Sequence, residues 1–292
     1  MRKIDFLATD KLQLTGFLYT KNKEMKSEDI VLSIHGMATN CFKKREDILI
    51  QKALENNIDF FVFNNRGSEL VKYCKKDGKS IIAGMSYENI FESYCDILGA
   101  ILELKKIGYK NIFIQGHSLG ATKTVYAYNK LLKENDEVIS SIKGLILLSL
   151  IDIPTATKFY LKDNLSNYIK YAETKKQEDK GLQMMPQDAF IHPISVNTFL
   201  IYAKYYKEID FANYTNENEF EILNKIKVPI FMRWGNDKEL ILEKAEDLVS
   251  LLNNKILNNK KDISYIEGAN HNYIGKEEIV AEQIIKFISS IR

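Results

Sequence analysis

The pentapeptide Gly116-His117-Ser118-Leu119-Gly120 sets one hydroxyl between two glycines. Glycine two residues to either side of a serine suits a very tight strand-to-helix turn, where bulkier side chains would collide. Such a turn lifts the Ser118 hydroxyl clear of a sheet edge. It also sets the hydroxyl at the N-terminus of the following helix, whose amides and dipole favour a developing anion. The chemistry this suits is nucleophilic attack, and a serine hydroxyl needs a base to perform it. The chain has four histidines: His35, His117, His192 and His271. His117 adjoins the serine and is expected to face away and pack. His35 ends an apolar run, and His192 lies in an irregular stretch. His271, within Gly268-Ala269-Asn270-His271-Asn272, follows the last short apolar run and precedes the final helical one. That is the base's place in the chain order serine, acid, histidine.

The acid that orients such an imidazole belongs in a loop at the carboxyl end of a strand between the two. Val228 to Trp234 ends in Gly235-Asn236-Asp237-Lys238-Glu239. Asp237 is the expected acid because it follows the strand and its turn residues closely, and Glu239 is its rival. Asp262 lies too close to the last strand to reach. An oxyanion needs two backbone N–H donors about 3 Å away. Leu119 supplies one. The other is expected from Met37, since Gly36 lets the chain turn after the apolar run that ends at His35. His35 then stands behind the donor loop and is also a candidate to face substrate.

The elements that must hold these groups follow a regular order. Ile4–Thr9 and Leu12–Tyr19 read as short strands, with Gly16 a possible bulge. Lys21–Glu28 reads as a solvated turn. Asp29–His35 is a nearly continuous apolar run, the pattern of a strand buried on both faces. A helix is predicted over 43–56, a strand over Ile58–Phe63, a polar loop, and a helix from about Glu88 to Ile107, closed by Gly108. Strand Asn111–Gln115 leads into the serine turn, then helix Ala121–Leu132 and strand Ile142–Leu150. After the stretch 152–215 come strand Val228–Trp234, helix Leu242–Leu257, strand Ile263–Glu267 and helix Glu277–Ile291. Strand and helix in alternation predict a parallel sheet covered on both faces, hence an α/β fold.

Composition excludes several classes. With 292 residues and 45% hydrophobic content, the chain suits one large α/β domain or two small ones, not a disordered segment. Forty-one Lys and Arg against 39 Asp and Glu leave a net charge of +2, which gives nucleic-acid binding no electrostatic support. No apolar run approaches the roughly 18–20 residues that span a bilayer. The opening residues carry no apolar signal region, and Cys41, Cys74 and Cys95 have no metal-type spacing. A cytoplasmic location with free thiols is the expectation.

Residues 152–215 break the strand–helix alternation and read as helical fragments. They hold eleven aromatics: Phe159, Tyr160, Tyr168, Tyr171, Phe190, Phe199, Tyr202, Tyr205, Tyr206, Phe211 and Tyr214. Most are expected to seat the insertion on the core. Phe199, Tyr202 and Tyr206, three and four apart, would share one helix face and are candidates to wall a substrate pocket. Lys123 is expected to be a charge on the helix surface. Arg66 is expected to hold its loop by pairing with a carboxylate, or else to touch an anionic substrate.

The set His35-Gly36, Asn65-Arg66-Gly67, Gly116 to Gly120, Gly235-Asn236-Asp237 and Gly268 to His271 resembles the α/β-hydrolase superfamily, in the family's order and over most of the chain. The resemblance implies an eight-stranded, mostly parallel sheet flanked by helices. It divides the chain into a core of 1–151 and 216–292 and a helical lid, 152–215, inserted after the sixth strand. It also implies a Ser118–His271–Asp237 triad with Met37 and Leu119 as oxyanion donors, and neither metal nor organic cofactor. A narrower resemblance, carried by Tyr87-Glu88, Met185-Pro186 and Pro193-Ile194-Ser195, is to hydrolases near siderophore esterases. Asn64-Asn65-Arg66-Gly67 departs from the commoner Asp-x-Arg-Gly pattern of the family, outside the triad. The expected function is hydrolysis of a carboxylic ester of a small molecule. A thioesterase or acyltransferase on the same triad and a non-catalytic ligand-binding protein are the alternatives. The expected partner is the small-molecule substrate alone, as a monomer or homodimer.

Overall fold

The structure, a computed structural model, describes residues 1–21, 27–134, 136–204, 206–214 and 220–292. Eight strands form the main sheet: β1 (Arg2–Leu7), β2 (Gln13–Tyr19), β3 (Asp29–Ile34), β4 (Asp59–Phe63), β7 (Asn111–His117), β8 (Ile142–Leu148), β9 (Ile230–Gly235) and β10 (Lys261–Ile266). β5 (Lys72–Lys76) and β6 (Lys79–Ala83) pair separately as an antiparallel hairpin. The main sheet runs in the order β1-β2-β4-β3-β7-β8-β9-β10. β2 is antiparallel to both its neighbours, and β4, β3, β7, β8, β9 and β10 are parallel.

The parallel strands are buried on both faces because their successive side chains feed two apolar layers. Ile30, Leu32 and Ile34 of β3 join Ile112 and Ile114 of β7 on one side, where α2 (Ser93–Ile107), α3 (Leu119–Glu134) and α9 (Ala245–Lys255) pack. Val31, Phe113, Ile146 and Phe231 point the other way, against α1 (Lys44–Glu55) and α10 (Glu277–Ile291). Gly108 closes α2 at φ +115°, as a left-handed C-cap. Short helices α4 (Asp136–Ile139) and α8 (Glu221–Asn224) complete the core.

Between β8 and β9 the chain leaves the alternation as α5 (Ile153–Leu161), α6 (Leu165–Gln177) and α7 (Val196–Ala203). Their apolar faces form a third cluster, closed underneath by the core residues Met85, Ile90, Leu119 and Ile151.

Three local expectations need correction. The loop expected between Gly67 and Glu88 contains the β5–β6 hairpin, whose turn is Asp77-Gly78, both at positive φ. Gly16 marks no bulge: β2 keeps register through it, and a Cβ there would lie 2.8 Å from the Val62 carbonyl. Helix α2 starts at Ser93, five residues later than expected, after two 3₁₀ turns at Met85–Tyr87 and Ile90–Glu92. Most of the turn expected at Lys21–Glu28, together with Tyr205, lies outside the described residues.

Candidate active site

The carboxyl ends of the parallel strands converge on Ser118. It follows β7 directly at φ +56°, a conformation that favours glycine and is held here by its surroundings. Its amide donates to the Leu148 carbonyl at 2.8 Å, and its carbonyl accepts from Ala121 at 2.8 Å to start α3. A Cβ on Gly116 would stand 2.6 Å from the Ala121 Cα, and one on Gly120 would stand 2.6 Å from the His35 carbonyl oxygen. Only glycine lets strand, turn and helix approach this closely.

His271, in the loop after β10, brings Nε2 to 3.0 Å from Ser118 Oγ. The carboxylate on its Nδ1 is Glu239, not Asp237. The loop after β9 reverses at Lys238, φ +54°, so Asp237 faces solvent and offers only its amide, to the Ala269 carbonyl at 2.9 Å. Glu239 turns inward instead. Its carboxylate accepts from the Gly235 amide at 3.0 Å, the Leu240 amide at 2.9 Å and Ser149 Oγ at 2.8 Å. Burial pushes the Glu239 carboxyl up, but His271 and the two amides outweigh it and hold the group below the usual glutamate value.

Sequence reasoning missed Ser149 and Tyr273. Ser149 is fully buried at φ +47°, with Oγ 3.0 Å from the Tyr273 hydroxyl, which donates to the Arg233 carbonyl at 2.8 Å. No motif marks Ser149: its contacts arise where β8, β9 and the His271 loop meet.

Two of the remaining three histidines serve the frame. His117 is buried, and burial with the nearby Arg45 charge pulls its pKa well below the usual value. The neutral ring donates from Nε2 to the His271 carbonyl at 2.8 Å, so it braces the His271 loop. His35 is likewise pulled down, to about 3, by burial and then by Lys123. Its Nε2 accepts from the Asn65 amide at 3.2 Å. His192 borders the cavity described below.

Met37 and Leu119 both adjoin the serine turn. Leu119 opens α3, and a Cβ on Gly36 would come 3.2 Å from the Ser118 Cβ, so the 36–37 loop abuts the serine. Among the described residues neither amide donates to a protein acceptor.

Lys123 is not on the surface. It is fully buried, with Nζ 2.5 Å from the Glu88 carboxylate and 3.3 Å from Asn65 Oδ1. Arg66 binds Asp96, Asp10 and Glu92, which pins the loop after β4 to α2. Among the described residues no three His, Cys, Asp or Glu side chains are grouped to hold a metal ion.

A cavity of about 880 Å³ opens over Ser118, His271 and Glu239. Met37 and His35 border it, but Phe199, Tyr202 and Tyr206 do not. Phe199 and Tyr202 are completely buried in the third apolar cluster, and Tyr206 packs edge-on against Phe91 at 5.3 Å. The inserted aromatics that reach the cavity are Phe159, Tyr160 and Phe190.

No family model matches the chain, and no curated protein sequence does. Solved structures do. Est1E from Butyrivibrio proteoclasticus, with ferulic acid bound, superposes with a TM-score of 0.67 at 16% identity, covering 98% of both chains. The α/β hydrolase GrgF from Penicillium sp. sh18 gives 0.70 at 12% identity, over 99% of this chain and 98% of its own. The Pyrococcus furiosus esterase Pf2001 gives 0.60 at 17% identity, over 99% and 90%. The chain therefore has the α/β-hydrolase fold.

Proposed function

We propose that the protein is a serine hydrolase that cleaves a carboxylic ester of a small molecule through an acyl-enzyme. The observation that carries this reading is one hydrogen-bonded line: Ser118 Oγ on His271 Nε2, and Glu239 on His271 Nδ1. His271 removes the Ser118 proton as Oγ attacks the carbonyl carbon. Glu239 fixes the tautomer and stabilises the imidazolium that forms. The Met37 and Leu119 amides receive the charge that develops on the carbonyl oxygen. His271 then gives its proton to the leaving alcohol and activates the water that releases the acid. The esterase names among the structural neighbours, one with ferulic acid bound, agree with this chemistry. We also propose that α5–α7 and the chain around them, residues 152–215, act as a lid on the cavity.

The wild-type protein should hydrolyse p-nitrophenyl acetate and take a covalent fluorophosphonate label on Ser118. Ser118→Ala should lose the label and at least about a thousandfold in kcat/KM with an unchanged circular-dichroism spectrum. A variant that keeps the wild-type rate would remove Ser118 from the mechanism.

A further inference from the structure

Six large apolar side chains that stand 43–68% exposed all border the cavity over Ser118: Phe159, Tyr160, Ile191, Leu240, Leu242 and Ile274. They come from α5, from the loop before α7, and from the loops that carry Glu239 and His271. Their exposure is not a by-product of seating the insertion, because Phe199 and Tyr202 do that from complete burial. Ile151, Ile153 and Phe190, each more than nine-tenths buried, line the same cavity, so apolar side chains border it both where it is buried and where it is exposed. Of the charged side chains beside α1 that line the cavity, Lys44 pairs with Glu277 of α10 at 3.1 Å and Arg45 with Glu46 at 2.6 Å, while Lys43 stands exposed. Large exposed apolar patches mark protein or membrane contacts or ligand-binding grooves, and these side chains surround a cavity over a reactive group, which favours the groove. The volume, about 880 Å³, sits near the top of the roughly 300–1,000 Å³ range of small-molecule pockets. An acetyl ester would leave most of it empty.

Resting on the serine-hydrolase reading, we propose that the substrate class is esters with a long or extended apolar group, which fills the cavity over Ser118 and covers the Phe159–Ile274 rim.

The test is kcat/KM across p-nitrophenyl alkanoates from acetate to dodecanoate, and across alkyl acetates of matching length, all below their micelle concentrations. In one of the two series it should rise about two- to fourfold per added methylene before levelling off, the upper figure being full burial of each methylene. The paired substitution Phe159→Ser and Ile274→Ser should cut the octanoate-to-acetate ratio in the responding series by about tenfold. Tyr73→Ser, at an exposed tyrosine on the β5–β6 hairpin, should leave that ratio alone. Flat or falling profiles in both series overturn the proposal, as does a paired variant with the wild-type ratio. Rim-dependent sedimentation of Ser118→Ala with phosphatidylcholine vesicles, alongside flat profiles, would assign the rim to a lipid surface instead. Fluorophosphonate labelling separates the two failures. A labelled enzyme with flat profiles sinks only this proposal, whereas an unlabelled, inactive protein sinks the hydrolase reading with it.

Discussion

Asp237 and Glu239 stand two residues apart, and the backbone between them decides which carboxylate reaches His271. With Lys238 at positive φ, the chain turns Asp237 outward and Glu239 in, onto His271. Glu239→Gln keeps the shape and removes the charge, so kcat/KM should fall by about 10²–10⁴-fold. Asp237→Asn should stay within about twofold. Steady-state kinetics of the two variants side by side decides the matter, and an equal loss in both would return Asp237 to contention. The folded-state carboxyl of Glu239 lies below its ordinary value, so its stabilising contribution is full above about pH 4.3 and disappears as the pH falls through the lower folded value. The stability gap between wild type and Glu239→Gln, read from denaturant melts, should therefore be widest above about pH 5 and close in stronger acid.

At the scale of elements, the two ends of the inserted segment are clasped by acids. Asp152 precedes α5 but does not cap it: its carboxylate accepts from the Ala212 amide at 3.1 Å. Asp210, from the far end, caps α5 instead, accepting from the Thr155 amide at 3.2 Å and hydroxyl at 2.9 Å. Burial raises the Asp152 carboxyl well above the carboxylate range, and the neighbouring Asp210 and Glu243 raise it further. The sign follows from linkage. Above about pH 4 the unfolded chain has released this proton while the folded one still holds it, so stability declines as the pH climbs toward the raised value. Asp152→Asn keeps an acceptor for Ala212 and abolishes the titration. Its Tm should depend less on pH than that of the wild type and exceed it at pH 8. Parallel Tm–pH curves would place the titrating burden elsewhere. The β5–β6 hairpin belongs to this scale too. Its Asp77-Gly78 turn is a hairpin signal in the sequence, but the short flanking strands alternate too weakly, with Tyr73 on the exposed face, to be read as such.

Across the whole molecule, three apolar clusters share walls. The sheet separates two of them, and the third ties α5–α7 to the core through Met85, Leu119 and Ile151. Leu119 follows the candidate nucleophile, so the insertion rests on the helix that carries the serine turn. Insertion and core should therefore unfold in one thermal transition. Phe199→Ala removes a fully buried ring at a cost of about 3–5 kcal/mol and should lower the Tm by about 5–10 °C. The octanoate-to-acetate ratio should not move, because Phe199 packs beneath the insertion and not along the cavity. A separate low-temperature transition in calorimetry would show that the insertion folds on its own.

Sequence alone carried what depends on local spacing. The parallel strands were legible as apolar runs, and the serine turn as two glycines two residues either side of Ser118. His271 was singled out because just four histidines exist and one follows the last strand. Lost to local reasoning was whatever depends on where separate segments meet. A short loop can present either of two nearby acids, and one left-handed residue, Lys238, selects between them. Lys123 reads as a surface charge until Glu88, thirty-five residues away, is found beside it in the core. Helical spacing put Phe199, Tyr202 and Tyr206 together, but α7 ends at Ala203 and leaves Tyr206 off the helix, and which side of the insertion meets the cavity and which meets the core is set by tertiary packing. That packing buried Phe199 and Tyr202 and left Phe159 and Tyr160 at the cavity mouth. Burial and direction are properties of the assembled chain, and periodicity specifies only which residues share a face.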